Sequence, residues 1–328
     1  MKITSIYSML RRLRRFRTKL RTEVKRLRTE FKREKSRLAA LSAPQRPSDA
    51  EPTAQKDKHI LNIVNTREAI IAMTPQNPFE RFADGRPRVP DEWLERMKTV
   101  TSEEAWAILD RHGYLFQFAG DWFRTHPERI LVGRAVTAQM LPFRPDFHQA
   151  VQDAGTAQGR GGGQNTWVID TLGKNDVLVV DLYGKIREGT FVGDNLSTAI
   201  AMRTGAGAVI EGGIRDYTGI RDLQNVAFFC RGVDPTPIRN TTLGGVNIPL
   251  RIAHVTVLPG DVVLGTPTGV TFIPPHLVQE VVEYAEEIHI RDSFGKQRIA
   301  EGKYTSGEID VPTWRADIEA DFAAWRAK

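Results

Sequence analysis

The stretch VGDNLSTAIAMRTGAGAVIEGGIRDYTG, residues 192–219, decides the fold. Its first turn, Gly193-Asp194, opens a helix-length run, NLSTAIAMRTG, that stops at Gly205. A short apolar strand, AVIEGG, follows and ends in two glycines before Arg215-Asp216. Further apolar strands stand on either side, DVLVVDLYG before and VAFFCRG after. These apolar runs read as short buried strands. Strands alternating with helices predict an α/β core, and the strand-rich run from 226 to 274 adds a compact sheet layer.

In such a core, ligands gather beyond the carboxyl ends of the strands, where both glycine-led turns fall. At the first turn the leading helix amides are unpaired donors at the positive end of a dipole, suited to a carboxylate or phosphate. The alternative there is that Asp194 simply caps its own helix. At the second turn Arg215 offers a bidentate fork for a carboxylate. Asp216 offers a hard oxygen ligand for magnesium or manganese, which take only one or two protein carboxylates and keep their waters. The alternative is a local ion pair on an exposed loop. Brought into one pocket, the set would recognise a 2-oxo acid, with its carboxylate on the amides and arginine and its keto oxygen on the metal. A metal there is a Lewis acid that stabilises an enolate, the common need of retro-aldol cleavage and β-decarboxylation.

Other motifs carry less. The loop GRGGGQN, residues 159–165, lacks the Lys-Ser or Lys-Thr ending of a phosphate-binding loop and reads as a mobile lid or linker. His148, His254, His276 and His289 share no spacing and read as surface or helix residues, while Asp170, Asp176 and Asp181 read as solvated strand ends. There is no Gly-x-Ser-x-Gly elbow. Cys230, the one cysteine, sits in the apolar run VAFFC and reads as a buried small hydrophobe. It has no partner for an internal disulfide, which fits a reducing compartment, and a cytoplasmic location is expected. No apolar stretch approaches the roughly twenty residues of a spanning helix.

The formal net charge of +6 is unevenly spread. Residues 1–38 hold fifteen Lys or Arg against three Glu, so the remainder of the chain is mildly acidic. Residues 1–41 lack Gly and Pro and place Ile3, Ile6, Leu10, Leu13, Leu20, Val24, Leu27, Phe31, Leu38 and Leu41 on a heptad seam broken at Arg17 and Glu34. This predicts a long basic amphipathic helix or coiled-coil tail that self-associates or touches an anionic surface or RNA. A flexible linker follows over 42–58, rich in Pro, Ser and charge. The expected organisation continues with an N-terminal extension over 59–100, a catalytic domain over 101–292 and a helical tail over 293–328. Within these, SEEAWAILDRHG predicts a helix with Ser102 as N-cap and Gly113 as stop. RILVGRAVTAQML predicts strand split by Gly133, and PTWRADIEADFAAWRAK predicts an amphipathic helix.

GDNLSTAIAMRTGAGAVIEGGIRDYTGI, followed by RGVDPTP, VNIPLRIAHVTVLPGDVVLG and GVTFIPP, resembles the family joining 4-hydroxy-4-methyl-2-oxoglutarate aldolase to the regulator of ribonuclease activity A, over roughly residues 100–292. The resemblance implies an α/β, swivelling-domain-type βαβ sandwich assembled as a homotrimer or hexamer, with sites near subunit boundaries. It implies that the backbone of Gly193, Asp194, Asn195 and Leu196 and the side chain of Arg215 hold a pyruvyl carboxylate. Asp216 would ligate a divalent metal (Mg2+ or Mn2+), and Asp194 would hold a metal-linked water acting as general acid or base. The implied reaction is class II cleavage of a 4-hydroxy-2-oxo acid, or oxaloacetate decarboxylation, releasing pyruvate. A neighbouring subunit's glutamate completes the site in the aldolases, and Glu280 and Glu283 lie in a suitable region. The chain departs from the family at Thr266 and Thr268, where acidic residues are frequent, and at His254, where glycine is common. Two other readings remain: a non-catalytic regulator binding an RNA-processing enzyme, and, from PGDVVLGTPTGV, a fumarylacetoacetate-hydrolase-like enzyme, for which no upstream Glu-x-Glu pair is found.

Overall fold

The computed structural model describes residues 61–327 together with Arg26 and Glu30. The expected basic helix over 1–41 and linker over 42–58 lie outside the described residues, apart from Arg26 and Glu30, which are helical and paired at 3.1 Å. In chain order the elements begin with α1 (Arg67–Met73), α2 (Asp91–Met97), α3 (Ser102–Arg111), β1 (Phe118–Ala119), β2 (Phe123–Arg124), β3 (Leu131–Pro142), α4 (Pro145–Ala157) and α5 (Gln164–Ile169). The central units are β4 (Asp176–Asp181), α6 (Asp194–Thr204), β5 (Gly207–Ile214), α7 (Tyr217–Arg221), β6 (Ala227–Val233) and β7 (Thr241–Val246). Then come β8 (Leu250–Ile252), β9 (Val255–Val257), β10 (Val262–Gly265), β11 (Val270–Ile273), α8 (Val278–Ala300), α9 (Ser306–Ile309) and α10 (Ala316–Arg326).

One sheet runs β1-β11-β10-β3-β4-β5-β6-β2, with β7 also on β3. The four strands β3 to β6 are parallel, and their flanks are antiparallel. β3 pairs β10 along its first residues and β7 along its last, with a register shift at Gln139/Met140. An irregularity of that kind bends a strand, and the sheet curls there. β3 does not break at Gly133, because Gly133 pairs with Val263 and the ladder continues through it.

Side chains alternate across this sheet. Leu178, Val180, Ile210 and Phe228 face Trp167 of α5 and Ile200 of α6, whereas Val177, Val179, Val209 and Phe229 pack on Leu250, Ile252, Val255 and Val257 of the small β8–β9 hairpin. That double cover explains the unbroken apolar reading of β4, buried at every residue. The extension before residue 100 packs into the same body, since Val89, Leu94 and Met97 join Val262, Leu264 and Val281 in one cluster.

Several local expectations change. The N-cap of α3 is Thr101, one residue earlier than expected, because Thr101 and Glu104 form a reciprocal capping box. Asp176 and Asp181 are buried, not solvated. Asp176 is held by Arg86 Nη1 at 2.9 Å, and Asp181 Oδ1 accepts from the Tyr183 amide. α8 runs unbroken across residue 292, and Phe294 on its far half packs with Trp314, Ile318 and Phe322 of the C-terminal segment. Cys230 is fully buried, and burial pushes its thiol up to about 12.

Asp261 closes the turn before β10 by accepting from the Leu258 amide at 2.8 Å. Burial pushes its carboxyl up from 3.8 to about 7. A raised folded-state value means that the folded chain holds this proton more tightly than the unfolded chain does. The stabilisation is therefore full below about pH 4 and lost as pH rises through about 7. The melting temperature of wild type relative to Asp261→Asn is expected to fall across that window in thermal melts; a constant difference would contradict the assignment.

Candidate active site

The two glycine-led turns meet. Beyond β4 the chain loops back so that Thr190 pairs in parallel with Gly213, extending the sheet past the end of β4. Phe191 N donates to Gly213 O at 3.0 Å, and Arg215 N donates to Val192 O at 3.0 Å. The returning loop explains the glycine pair at the end of β5. A side chain on Gly213 would come within 2.8 Å of Ile186 O, so the backbone approach itself requires glycine there. The pair was expected to open a turn; it also admits a neighbouring segment.

Gly193 is the N-cap of α6, with φ −111°, and Asp194 is the first helical residue. Asp194 is therefore not the N-cap residue, although its side chain takes up one first-turn amide of its own helix. Its Oδ1 accepts from the Asn195 amide at 2.8 Å. The first amides of an α-helix have no intrahelical acceptor, and those here belong to Gly193 through Leu196, of which the Asn195 amide already donates to Asp194 Oδ1. A carbon added at Gly193 would collide with Asp216 Oδ2 and stand 3.0 Å from Arg215 Nε. Conversely, a carbon added at Gly219 would stand 3.1 Å from Asp194 Oδ2. Each turn thus presents a glycine to the other's carboxylate, so Gly193, Asp194, Arg215 and Asp216 form one cluster.

Asp216 adopts the left-handed conformation, with φ 55° and ψ 39°. Asp and Asn visit that region far more readily than bulky residues do. Its Oδ2 lies 3.6 Å from Arg215 Nε, and both side chains are 42% exposed. At that exposure the pair contributes little to stability, so both groups stay available to a ligand. Asp194 and Asn195 are exposed as well.

Among the described residues no group of three or more His, Cys, Asp or Glu is placed to hold a metal. The pair of accessible carboxylates, Asp194 and Asp216, instead suits a magnesium- or manganese-type ion that keeps most of its waters. The cluster fits such an ion.

Other residues that the sequence singles out lie elsewhere. Glu280 pairs with His112 at 2.9 Å, and Glu283 accepts from Gln279, both along α8. Thr266 and Thr268 form a hydroxyl cluster with Ser102, at 2.7 and 3.0 Å from its Oγ. His254 is exposed, with its ring edge-on to Phe116. The GRGGGQN loop is laced down rather than free: Gly161 O accepts from Trp167 Nε1 at 2.9 Å, and α5 begins at Gln164.

Some supports escape a reading by motif. Asn165 Nδ2 donates to Phe191 O at 2.8 Å, bracing the backbone two residues before Gly193. Arg231 stacks 3.7 Å over Trp122 and pairs with Glu211 at 2.9 Å. Phe123 meets Tyr217, the residue after Asp216, edge-on at 5.3 Å. Only pairing between distant strands brings these residues together; the aromatic-rich run GDWF was their sole sequence signal.

Comparison with known proteins agrees with this architecture. The chain is 31% identical over 176 residues to Protein DlpA of Legionella pneumophila, covering 52% of this chain and 26% of that protein. It is 29% identical over 107 residues to a Thermus thermophilus protein named 4-hydroxy-4-methyl-2-oxoglutarate aldolase, covering 33% and 64% respectively. The chain thus spans less than two thirds of either relative. Among solved structures, Streptomyces coelicolor RraAS2, described as an unusual member of the RNase ES inhibitor RraA protein family, superposes with a TM-score of 0.55 at 25% identity. That match covers 67% of this chain and all of the other. The RraA-like family model, Aldolase/RraA, matches residues 107–272, just over half of the chain and both glycine-led turns with it. The chain belongs to the RraA-like family.

Proposed function

We propose that the chain is a divalent-metal-dependent carbon–carbon lyase that releases pyruvate from a 2-oxo acid, by retro-aldol cleavage of a 4-hydroxy-2-oxo acid, by oxaloacetate decarboxylation, or both. The observation that carries this reading is the packing of Gly193 against Arg215 and Asp216, which gathers a guanidinium, a carboxylate and the start of α6 into one cluster. The aldolase name of the Thermus relative supports the reaction class.

The C1 carboxylate is held by the Arg215 guanidinium and by the amides at the start of α6, two donors of unlike origin converging on one anion. Asp216 and Asp194 hold the cation, directly or through its waters. When bound, the cation supplies a Lewis acid that polarises the 2-oxo group. In retro-aldol cleavage the 4-hydroxyl gives up its proton, the C3–C4 bond breaks, and C3 takes a proton back. Asp194, whose Oδ2 lies against Gly219 beside the substrate-binding amides, is the carboxylate that relays this proton. In decarboxylation the bond to the leaving CO2 breaks instead, and C3 takes a proton that Asp194 passes on from water, since the substrate has no 4-hydroxyl to supply it. The proposed assembly is a homotrimer or hexamer in which a neighbour closes the open side of the cluster.

Arg215→Lys keeps the charge but loses the planar fork. It is expected to raise KM about ten- to a hundredfold, with a smaller change in kcat, because the carboxylate contact is made in ground and transition states alike. Steady-state kinetics on oxaloacetate check this; an unchanged KM would remove Arg215 from the substrate site.

The likeness to RraAS2 favours a second reading, a non-catalytic regulator of an RNA-processing enzyme. The two readings separate on one pair of variants. A regulator loses partner binding when residues 1–58 are deleted and tolerates Asp216→Asn, whereas a lyase loses activity with Asp216→Asn.

A further inference from the structure

A second concavity lies apart from Gly193, Arg215 and Asp216. It has a volume of about 420 Å3 and lies among residues 73–77, Tyr114, Gln117, Thr256, the Leu258–Asp261 turn and Pro274–His276. That volume is in the range of small-molecule sites. Residues 73–77 and 274–276 fall outside the family-matched segment, so two walls lie beyond it.

The lining is rich in acceptors and holds no lysine or arginine. Asp261, 3% exposed, uses Oδ2 on the Leu258 amide, and its other carboxylate oxygen has no partner among the described residues. Gln117 donates its amide N–H to Phe272 O at 2.8 Å, which leaves its side-chain oxygen as a second open acceptor. His276 Nε2 is engaged with the Tyr114 hydroxyl at 3.2 Å. Met73, Pro75, Leu258, Pro274 and Pro275 supply apolar surface around these groups.

A carboxylate oxygen that lines the cavity and takes no hydrogen bond from the protein is open to a ligand's N–H donors. An oxo acid or a phosphate would add acceptors to acceptors. A ligand that brings N–H donors on a flat apolar body satisfies both the carboxylate and the walls. We propose that this cavity is a binding site for a flat organic cation, such as an aromatic amidine or amine, anchored by Asp261. Desolvation already holds the Asp261 carboxyl up at about 7, so an unpaired negative charge is disfavoured there and a cationic partner offsets that cost.

Calorimetry on the full chain with benzamidine, and separately with benzoate, tests this. Two variants accompany it: Asp261→Asn, which keeps an oxygen for the Leu258 amide, and Thr256→Trp, which fills an exposed position of the lining. One saturable benzamidine site, no benzoate site, and binding weakened about tenfold or more in each variant is the expected result, corresponding to loss of a charge-assisted contact or of entry. Far-UV dichroism checks that both variants fold; unchanged binding in a folded Asp261→Asn overturns the proposal, and Thr256→Trp decides alone only if Asp261→Asn fails to fold. Absence of benzamidine binding at millimolar concentration, equal binding of benzoate, or binding that survives Thr256→Trp would overturn the proposal.

Discussion

Asp216→Asn is expected to lower kcat for pyruvate release by about 10²- to 10³-fold while leaving the fold intact, a loss of several kcal/mol of transition-state stabilisation. Asparagine is the informative replacement. Residue 216 sits at φ 55°, a conformation that Asn tolerates and that strains most other side chains. An alanine variant would mix backbone strain with loss of the ligand, whereas Asn removes the negative charge and little else. Metal titrations of the variant should show no rate gain from added Mg2+ or Mn2+. Full activity in Asp216→Asn would remove this residue from the chemistry.

The second large effect concerns stability. Arg86 reaches from the N-terminal extension into the base of β4, where Nη1 and Nη2 meet the two Asp176 carboxylate oxygens at 2.9 and 3.3 Å. Its Nε meets Asp84 at 2.7 Å. Burial alone pushes the guanidinium down, but Asp176 and Asp84 more than reverse this, so the net direction is upward. The Arg86 and Asp176 side chains are only 6% and 3% exposed. Arg86→Ala leaves Asp176 buried without its cation and is expected to cost about 3–5 kcal/mol in urea unfolding. Arg86→Met combined with Asp176→Asn should recover much of that loss, since two neutral side chains leave no buried charge unmet. A cost below about 1 kcal/mol for Arg86→Ala would show that the extension is not anchored through this pair.

The same pair shows where the sequence stops being informative. β4, α6 and β5 were legible because unbroken apolar runs and the glycines at 193 and 205 punctuate them; Gly205 ends α6 in the left-handed conformation, as a helix stop does. Asp176 reads as a solvated strand end because its cation stands ninety positions earlier in the chain, beyond any local pattern. α4 has no strong signal, since its buried face is only Val151, Ala154 and Gly155. In the candidate site the residue types and the meeting of both turns at the strands' carboxyl ends were legible, but the contacts that bring them together were not. They are the pairing of Thr190 with Gly213 and the bracing of Phe191 by Asn165, which chain folding alone creates. The assignment of Ser102 as N-cap missed by one position because Thr101 and Glu104 together outcompete it.

We propose that the two glycine-led turns form one metal-dependent carboxylate site. Its most direct test is pyruvate release by the purified chain, followed on oxaloacetate and on 4-hydroxy-2-oxo acids with Mg2+ or Mn2+ present and then with EDTA added. Turnover that EDTA abolishes and fresh metal restores is the expected result; no pyruvate from any of these substrates, or turnover that EDTA leaves untouched, would rule the site out.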